Sequence, residues 1–154
     1  MPVKILIADD HEVVRQGLRT ILKARPEWTI AGEVENGQQA VQAAMQIRPD
    51  IIILDITMPI MSGLEATQEI CNLNLGSRVL IFTMHDSKSL VKTLRKAGAL
   101  GYVLKSHAAR DLIRAIEALL GGGSFFGPEV REDIEEKNSS KGRNLLLCVS
   151  LQPV

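Results

Sequence analysis

Residues 51–71 read IIILDITMPIMSGLEATQEIC, and the architecture of the chain can be worked out from this stretch. Positions 51–55 begin with an unbroken run of branched apolar side chains, the pattern of a strand buried on both faces. The run ends abruptly in a charge, Asp55. Met58-Pro59 shapes the loop beyond it, because proline fixes φ. Ser62 then stands as a helix N-cap with Glu65 three residues on, and the helix that follows is expected to bury Leu64 and Ile70. Strand, acidic end, loop and helix make one βα unit.

The same unit recurs on either side. Runs rich in Val, Ile and Leu at 3–8, 29–34, 79–83 and 101–104 alternate with stretches of helical periodicity. That alternation is the pattern of an α/β domain, a doubly wound (βα)5 parallel sheet covered on both faces. Val13, Val14, Gly17, Leu18, Ile21 and Leu22 mark the expected buried face of the first helix, which Pro26 ends. A second helix over 37–47 should turn Ala40, Val41, Ala44 and Met45 inward. It stops before Pro49, since a residue preceding proline avoids helical dihedrals. The fourth helix carries Leu90, Val91 and Leu94, and the fifth Leu112, Ile113, Ile116 and Leu119, with Gly121-Gly122-Gly123 as its stop. Residues 1–127 therefore form the expected domain. Residues 128–154 form a short tail in which 129–137 has the pattern of a short helix and 138–142 that of a linker.

Composition narrows the functional classes. The 154 residues are 45% hydrophobic and 23% charged, and 18 Lys+Arg balance 18 Asp+Glu. This is a globular composition without the basic field that holds a nucleic acid by its phosphates. Two cysteines without a CxxC spacing argue against disulfides and structural zinc. No apolar run approaches the ~18 residues of a membrane span, so a cytoplasmic, membrane-free protein is expected.

Ligands of an open parallel sheet bind beyond the carboxyl ends of its strands, where the strand order reverses. If that order is 2-1-3-4-5, Asp9 and Asp10 at the end of the first strand lie beside Asp55 at the end of the third, roughly 5 Å away. Thr83 and Lys105 end the fourth and fifth strands. Three carboxylates so close repel, and the remedies are proton uptake or a divalent cation. A hard, oxygen-liganded ion such as Mg²⁺ suits this donor set. Carboxylate, metal, fixed cation and hydroxyl around one point make a phosphoryl-transfer site with Asp55 as the nucleophile. Blander readings stand beside this one: the acids as helix caps, Lys105 as a solvated loop lysine, and Thr83 as an ordinary strand residue. His11, His85 and His107 have no partner at metal-ligand spacing and read as surface or packing residues. Met61 and Met84 read as packing, and Trp28 as a partly buried anchor.

In combination, ILIADDH, IIILDITMPIMSGLEA, VLIFTMHD and GYVLKS resemble the receiver domain of bacterial two-component response regulators over 1–127. LIADDHEVVRQGLRTIL, FTMHD and AGALGYVLKS are most similar to the nitrate-response, LuxR-type branch, whose members carry a C-terminal helix-turn-helix. The resemblance implies a flavodoxin-like fold and a signalling protein that catalyses only its own phosphorylation and dephosphorylation. It implies Asp55 as phosphoacceptor, with Asp9, Asp10, Asp55 and the Thr57 backbone carbonyl as Mg²⁺ ligands. Thr83 and Lys105 would bind the phosphoryl group, Tyr102 would be the switch aromatic, and His85 would tune phosphoryl lifetime. A sensor histidine kinase is the implied phosphodonor. Phosphorylation would switch the face of the fourth helix, fifth strand and fifth helix, with a homodimer as one outcome.

Two departures from the family pattern bear on these expectations. Ser106 stands where many relatives have proline, which leaves a cis bond after Lys105 open. The tail is too short for a helix-turn-helix and sets four basic residues against five acidic ones, so no direct DNA binding by this chain is expected. A free-standing receiver and a regulator with a truncated or unrelated output region both fit.

Two alternatives come from other classes. A haloacid dehalogenase-like phosphohydrolase would need an acid two residues after its nucleophile on the first strand, where Asp9 is followed by Asp10 and His11. A flavodoxin-like ligand-binding module would need a Gly- or Ser/Thr-rich phosphate loop where this chain has ADDHEVV.

Overall fold

A computed structural model describes residues 2–126 of the chain. The elements run β1 (Val3–Ala8), α1 (Glu12–Leu22), β2 (Trp28–Val34), α2 (Gly37–Ile47), β3 (Ile51–Leu54), α3 (Gly63–Asn72), β4 (Arg78–Thr83), α4 (Lys88–Ala97), β5 (Gly101–Leu104), a single 3₁₀ turn (Lys105–His107) and α5 (Ala108–Leu120). All strand pairs are parallel and the order is β2-β1-β3-β4-β5, as the alternation predicted. The tail helix and linker expected beyond 127 lie outside the described residues.

Successive side chains of a strand point to opposite faces, and the central strands are apolar on both. Leu6, Ala8, Ile52, Leu54, Val79 and Ile81 join the core under α2, α3 and α4. Ile5, Ile7, Ile51, Ile53, Leu80 and Phe82 join the core under α1 and α5. Each fully buried Ile or Leu contributes about 1.5–3 kcal/mol of transfer free energy, so slipping the β1–β3 register is opposed on both faces. Three helix starts carry side-chain caps, the predicted one at Ser62 among them, while His11 and His107 at the starts of α1 and α5 make no such bond. Asn36 accepts from the Gln39 amide at 2.8 Å, Ser62 from Glu65 at 3.2 Å and Ser87 from Leu90 at 3.3 Å. Past α5 the chain returns to the sheet: Tyr102 N–H donates to the Phe125 carbonyl at 2.8 Å, and Phe125 N–H to that of Leu100 at 3.0 Å. This contact covers part of the β5 edge, which would otherwise offer open backbone groups.

The structure corrects parts of the helix reading. Val13 is 78% exposed, and a methyl group built at Gly17 would meet open space. The inward side of α1 is instead Leu18, Leu22 and Arg15, flanked by Val14 and Ile21. At about 100° per residue Val13 lies some 140–180° around the helix from Leu18 and Leu22. Six apolar positions covered more arc than one packed face can hold. Met45 is similarly displaced to the flank of α2 and exposed. Trp28 is the partly buried anchor expected, with the Arg25 guanidinium 5.6 Å from its ring centroid. No helix of the described residues is long and apolar enough to cross a membrane.

Candidate functional site

Strand register sets the site. Ala8 pairs with Leu54, and Leu54 with Ile81, so β1 and β3 end at one level and the next residues leave the sheet together. Backbone bonds continue one residue further: Asp9 N–H donates to Val34 and Asp55 N–H to Ala8, both at 3.0 Å. Asp9 and Asp55 are both buried, whereas Asp10 is exposed. Thr83 pairs with Leu104, which delivers Lys105 to the same rim.

Lys105 lies between the two buried acids. Its ammonium donates to Asp55 Oδ2 at 3.1 Å and forms an ion pair with Asp9 Oδ2 at 2.8 Å. The other Asp55 oxygen accepts the Ile56 amide at 2.8 Å. Burial pushes the Asp55 carboxyl above the usual carboxylate range. Lys105 opposes that shift and repulsion from Asp9 adds to it. For Lys105, burial acts to lower the pKa, but Asp9 and Asp55 outweigh it and raise the net value, so the ammonium stays charged at neutral pH.

The acids form a compact donor group. One ligand atom from each of Asp9, Asp10, His11 and Asp55 lies within 4.8 Å of all the others. Among the described residues, Lys105 is the cation paired with Asp9 Oδ2, at 2.8 Å, so a single ammonium faces two buried carboxylates with a third beside them. Such a surplus of carboxylate oxygens suits an oxygen-preferring divalent cation. The acid cluster could therefore hold a metal ion. Neither aspartate is the N-cap of α1; that position is His11, and Asp9 Oδ1 accepts its amide at 2.9 Å.

The loop between Asp55 and α3 is held from two sides. Gly37 N–H donates to the Met61 carbonyl at 3.0 Å, and Gly63 N–H to that of Ile56 at 2.7 Å. A Cβ at Gly63 would stand 2.1 Å from the Asp55 carbonyl oxygen, and one at Gly37 2.4 Å from that of Met61. Both helices reach the loop only because these residues lack a side chain. Met61 packs against the core as expected.

His85 links the remaining predicted residues. Its Nε2 lies 3.4 Å from Thr57 Oγ1, its amide donates to Thr83 Oγ1 at 3.2 Å, and its carbonyl accepts the Tyr102 hydroxyl. Thr83 is fully buried and Tyr102 nearly so. Burial raises the Tyr102 pKa and the nearby Asp86 adds to the shift, so the phenol stays a donor at neutral pH. The bond after Lys105 is trans, as are all described peptide bonds.

Two sequence readings change here, and one residue without a reading enters. His11 is not a plain surface or packing residue, since its Nδ1 lies 3.2 Å from both Asp9 Oδ1 and Asp10 Oδ1. Met84 is 79% exposed and does not pack. Arg15, which the sequence reading passed over, is buried and donates to the Asp9 carbonyl. The sequence signal for Arg15 is slight: it falls three residues before Leu18 and seven before Leu22, on their helical stripe. His107 stays outside the site, with its ring 3.2 Å from the Arg110 guanidinium.

Comparison with known proteins agrees with this fold. The model of the response regulator receiver domain matches residues 5–117. The chain is 36% identical over 132 residues to the transcriptional regulatory protein DegU of Brevibacillus brevis, covering 86% of this chain and 56% of DegU. It is 36% identical over 121 residues to the nitrate/nitrite response regulator protein NarL of Escherichia coli, covering 79% of this chain and 56% of NarL. The chain thus spans little more than half the length of these curated relatives. A crystal structure of a LuxR-family two-component response regulator from Aurantimonas superposes with a TM-score of 0.81 at 34% identity, covering 91% of this chain and all of that one.

Proposed function

The chain belongs to the response regulator receiver domain family, signalling domains governed by phosphorylation, and on that premise we propose that Asp55 is the residue that carries the phosphoryl group. The observation that carries this reading is the placement of Asp55: buried at the end of β3, beside Asp9, with Lys105 bonded to one oxygen. Asp9, Asp10, Asp55 and the Thr57 main-chain carbonyl would hold Mg²⁺, which when bound supplies positive charge against the phosphoryl oxygens.

The donor is the phosphohistidine of a sensor histidine kinase. An Asp55 oxygen attacks phosphorus, the P–N bond breaks, and the departing imidazole nitrogen keeps the electron pair and takes a proton. Lys105 balances the charge gathered around phosphorus. Thr83 Oγ1 already accepts the His85 amide, which leaves its own O–H to donate to a phosphoryl oxygen. Water later attacks phosphorus, cleaves the O–P bond and restores the carboxylate. Because His85 joins Thr57, Thr83 and Tyr102, it is placed to tune how long the phosphoryl group lasts. Drawing Thr83 toward the phosphoryl group shifts His85 and Tyr102, and with them the face of α4, β5 and α5. That face is where we place downstream contact, including a homodimer. Longer relatives such as DegU are named transcriptional regulatory proteins, so we assign this chain to the control of transcription through its receiver.

Incubation with acetyl phosphate and Mg²⁺, followed by intact-mass measurement, tests the reading. One added phosphoryl group is expected, absent without the cation and absent in Asp55→Asn. Failure to label a protein that demonstrably binds the cation contradicts it.

A further inference from the structure

Arg15 is the charged residue that α1 buries, its side chain only 8% exposed. A buried guanidinium is costly unless its donors find acceptors, and here they do. Nη2 donates to Glu12 and lies 3.6 Å from the Glu35 carboxylate, while Nε lies 3.3 Å from that of Glu33. Nη1 donates to the main-chain carbonyl of Asp9.

The last bond differs in kind from the others. Glu12 and Glu33 have a second cation in Arg19, which pairs with both and, among the described residues, does not bond to Asp9. The Asp9 carbonyl belongs to the residue whose carboxylate is most deeply buried in the acid cluster, at the point where β1 leaves the sheet. With Asp9 N–H bonded to Val34 and its carbonyl held by Arg15, the peptide planes on both sides of its Cα are fixed. The carboxylate then has only its own side-chain torsions left to set.

Building on the proposed phosphoryl site, we infer that Arg15 is a positioning residue for divalent-cation binding: its grip on the Asp9 carbonyl holds the β1–α1 loop so that the Asp9 and Asp10 carboxylates converge on Asp55. Groups that orient metal ligands from outside the coordination shell commonly change affinity about 10–100-fold when removed. Lysine keeps the charge but lacks the planar fork that spans the glutamates and the carbonyl together. Charge and geometry can therefore be separated.

The test is calorimetric titration of the full chain with Mg²⁺, and separately with Mn²⁺, at neutral pH. It compares wild type, Arg15→Lys, Arg15→Gln and Arg19→Lys, with urea midpoints of each in EDTA. Both Arg15 variants should bind at least about tenfold more weakly, while Arg19→Lys stays within about twofold although it shares Glu12 and Glu33. At saturating cation, Arg15→Lys should recover the wild-type rate of labelling by acetyl phosphate, because only the metal requirement has shifted. Unchanged affinity in Arg15→Lys overturns the inference. So do equal losses in Arg15→Lys and Arg19→Lys, or losses that merely track the urea midpoints. If wild type itself binds neither cation, the functional reading falls with it; if wild type binds and Arg15→Lys binds as well, only the inference falls.

Discussion

Replacing Gly63 by alanine sets two effects of known size against each other. The residue opens α3, and alanine in a helix is favoured over glycine by up to about 1 kcal/mol. Against this, the new Cβ would stand 2.1 Å from the Asp55 carbonyl oxygen, 2.8 Å from Ile56 Cα and 2.9 Å from the Asp55 carbonyl carbon. All three neighbours are backbone and cannot rotate away, so reaching 3.0 Å takes a shift of about 0.9 Å in the loop or in α3. Forced overpacking of this kind costs about 1–3 kcal/mol and sometimes more. The clash wins, with a net loss of about 1–2 kcal/mol and a melting midpoint lowered by roughly 3–10 °C. The shift falls on the peptide carrying the phosphoacceptor, where a misplacement near 1 Å can cost about 10²-fold in rate. Gly17→Ala is the matched control: mid-helix, with nothing within 4 Å of the added methyl group. It should raise stability by about 0.5–1 kcal/mol and leave phosphorylation unchanged. Circular-dichroism melts and acetyl phosphate labelling rates of both variants decide the matter. A Gly63→Ala midpoint at or above wild type, or Gly63→Ala and Gly17→Ala shifts of the same sign, would refute the close approach of α3 to Asp55.

Other substitutions probe the site and its surroundings. Burial raises the Asp55 pKa, so the ionised form weakens the fold as pH rises through the folded value, and Asp55→Asn should melt a few °C higher than wild type at pH 7 in EDTA, on the scale of about 1 kcal/mol; an equal or lower midpoint counts against a crowded acidic site. Ile60 is 76% exposed at φ +70°, inside a tight turn closed by Met61 N–H to the Pro59 carbonyl at 2.7 Å. A branched residue is strained there by about 1–2 kcal/mol, so Ile60→Gly should stabilise the protein modestly despite the added chain entropy, as a urea titration would register. The Arg110 guanidinium lowers the Asp111 pKa, with Arg114 and His107 adding to the effect. The stability Asp111 lends is fully present above about pH 4 and lost as pH falls through the depressed folded value. Asp111→Asn should therefore be less stable than wild type at pH 7, with the gap closing at acid pH; a gap independent of pH would remove the ion pair as its cause.

What the sequence revealed was mostly set by local pattern. The strand at 3–8 carries enough branched residues to be read to the residue, the one at 101–104 is bounded by Gly101 and the charge of Lys105, and the Ser62 cap and the strand-end placement of Asp9, Asp55, Thr83 and Lys105 follow from local pattern and βα order. Features that depend on contacts between elements stayed hidden. Val13 looks apolar and inward until the rotation of α1, set by Leu18, Leu22 and the partners of Arg15, turns it to solvent. Arg15 looks like surface charge because its acceptors, Glu33, Glu35 and the Asp9 carbonyl, lie on β2, beyond it and in the β1–α1 loop. His11 has no partner at ligand spacing in the sequence, yet the bend after β1 folds its ring onto the adjacent aspartates. The need for glycine at 63 is likewise invisible until α3 is seen against the Asp55 peptide.

The central claim is that phosphorylation falls on Asp55, and chemical trapping of the acyl phosphate tests it most directly. After labelling with acetyl phosphate and Mg²⁺, borohydride reduces an aspartyl phosphate to homoserine, which peptide mass mapping locates. The account predicts homoserine at position 55, with Asp9 and Asp10 recovered intact. Homoserine at position 9 or 10, or a labelled protein yielding none at position 55, would contradict it.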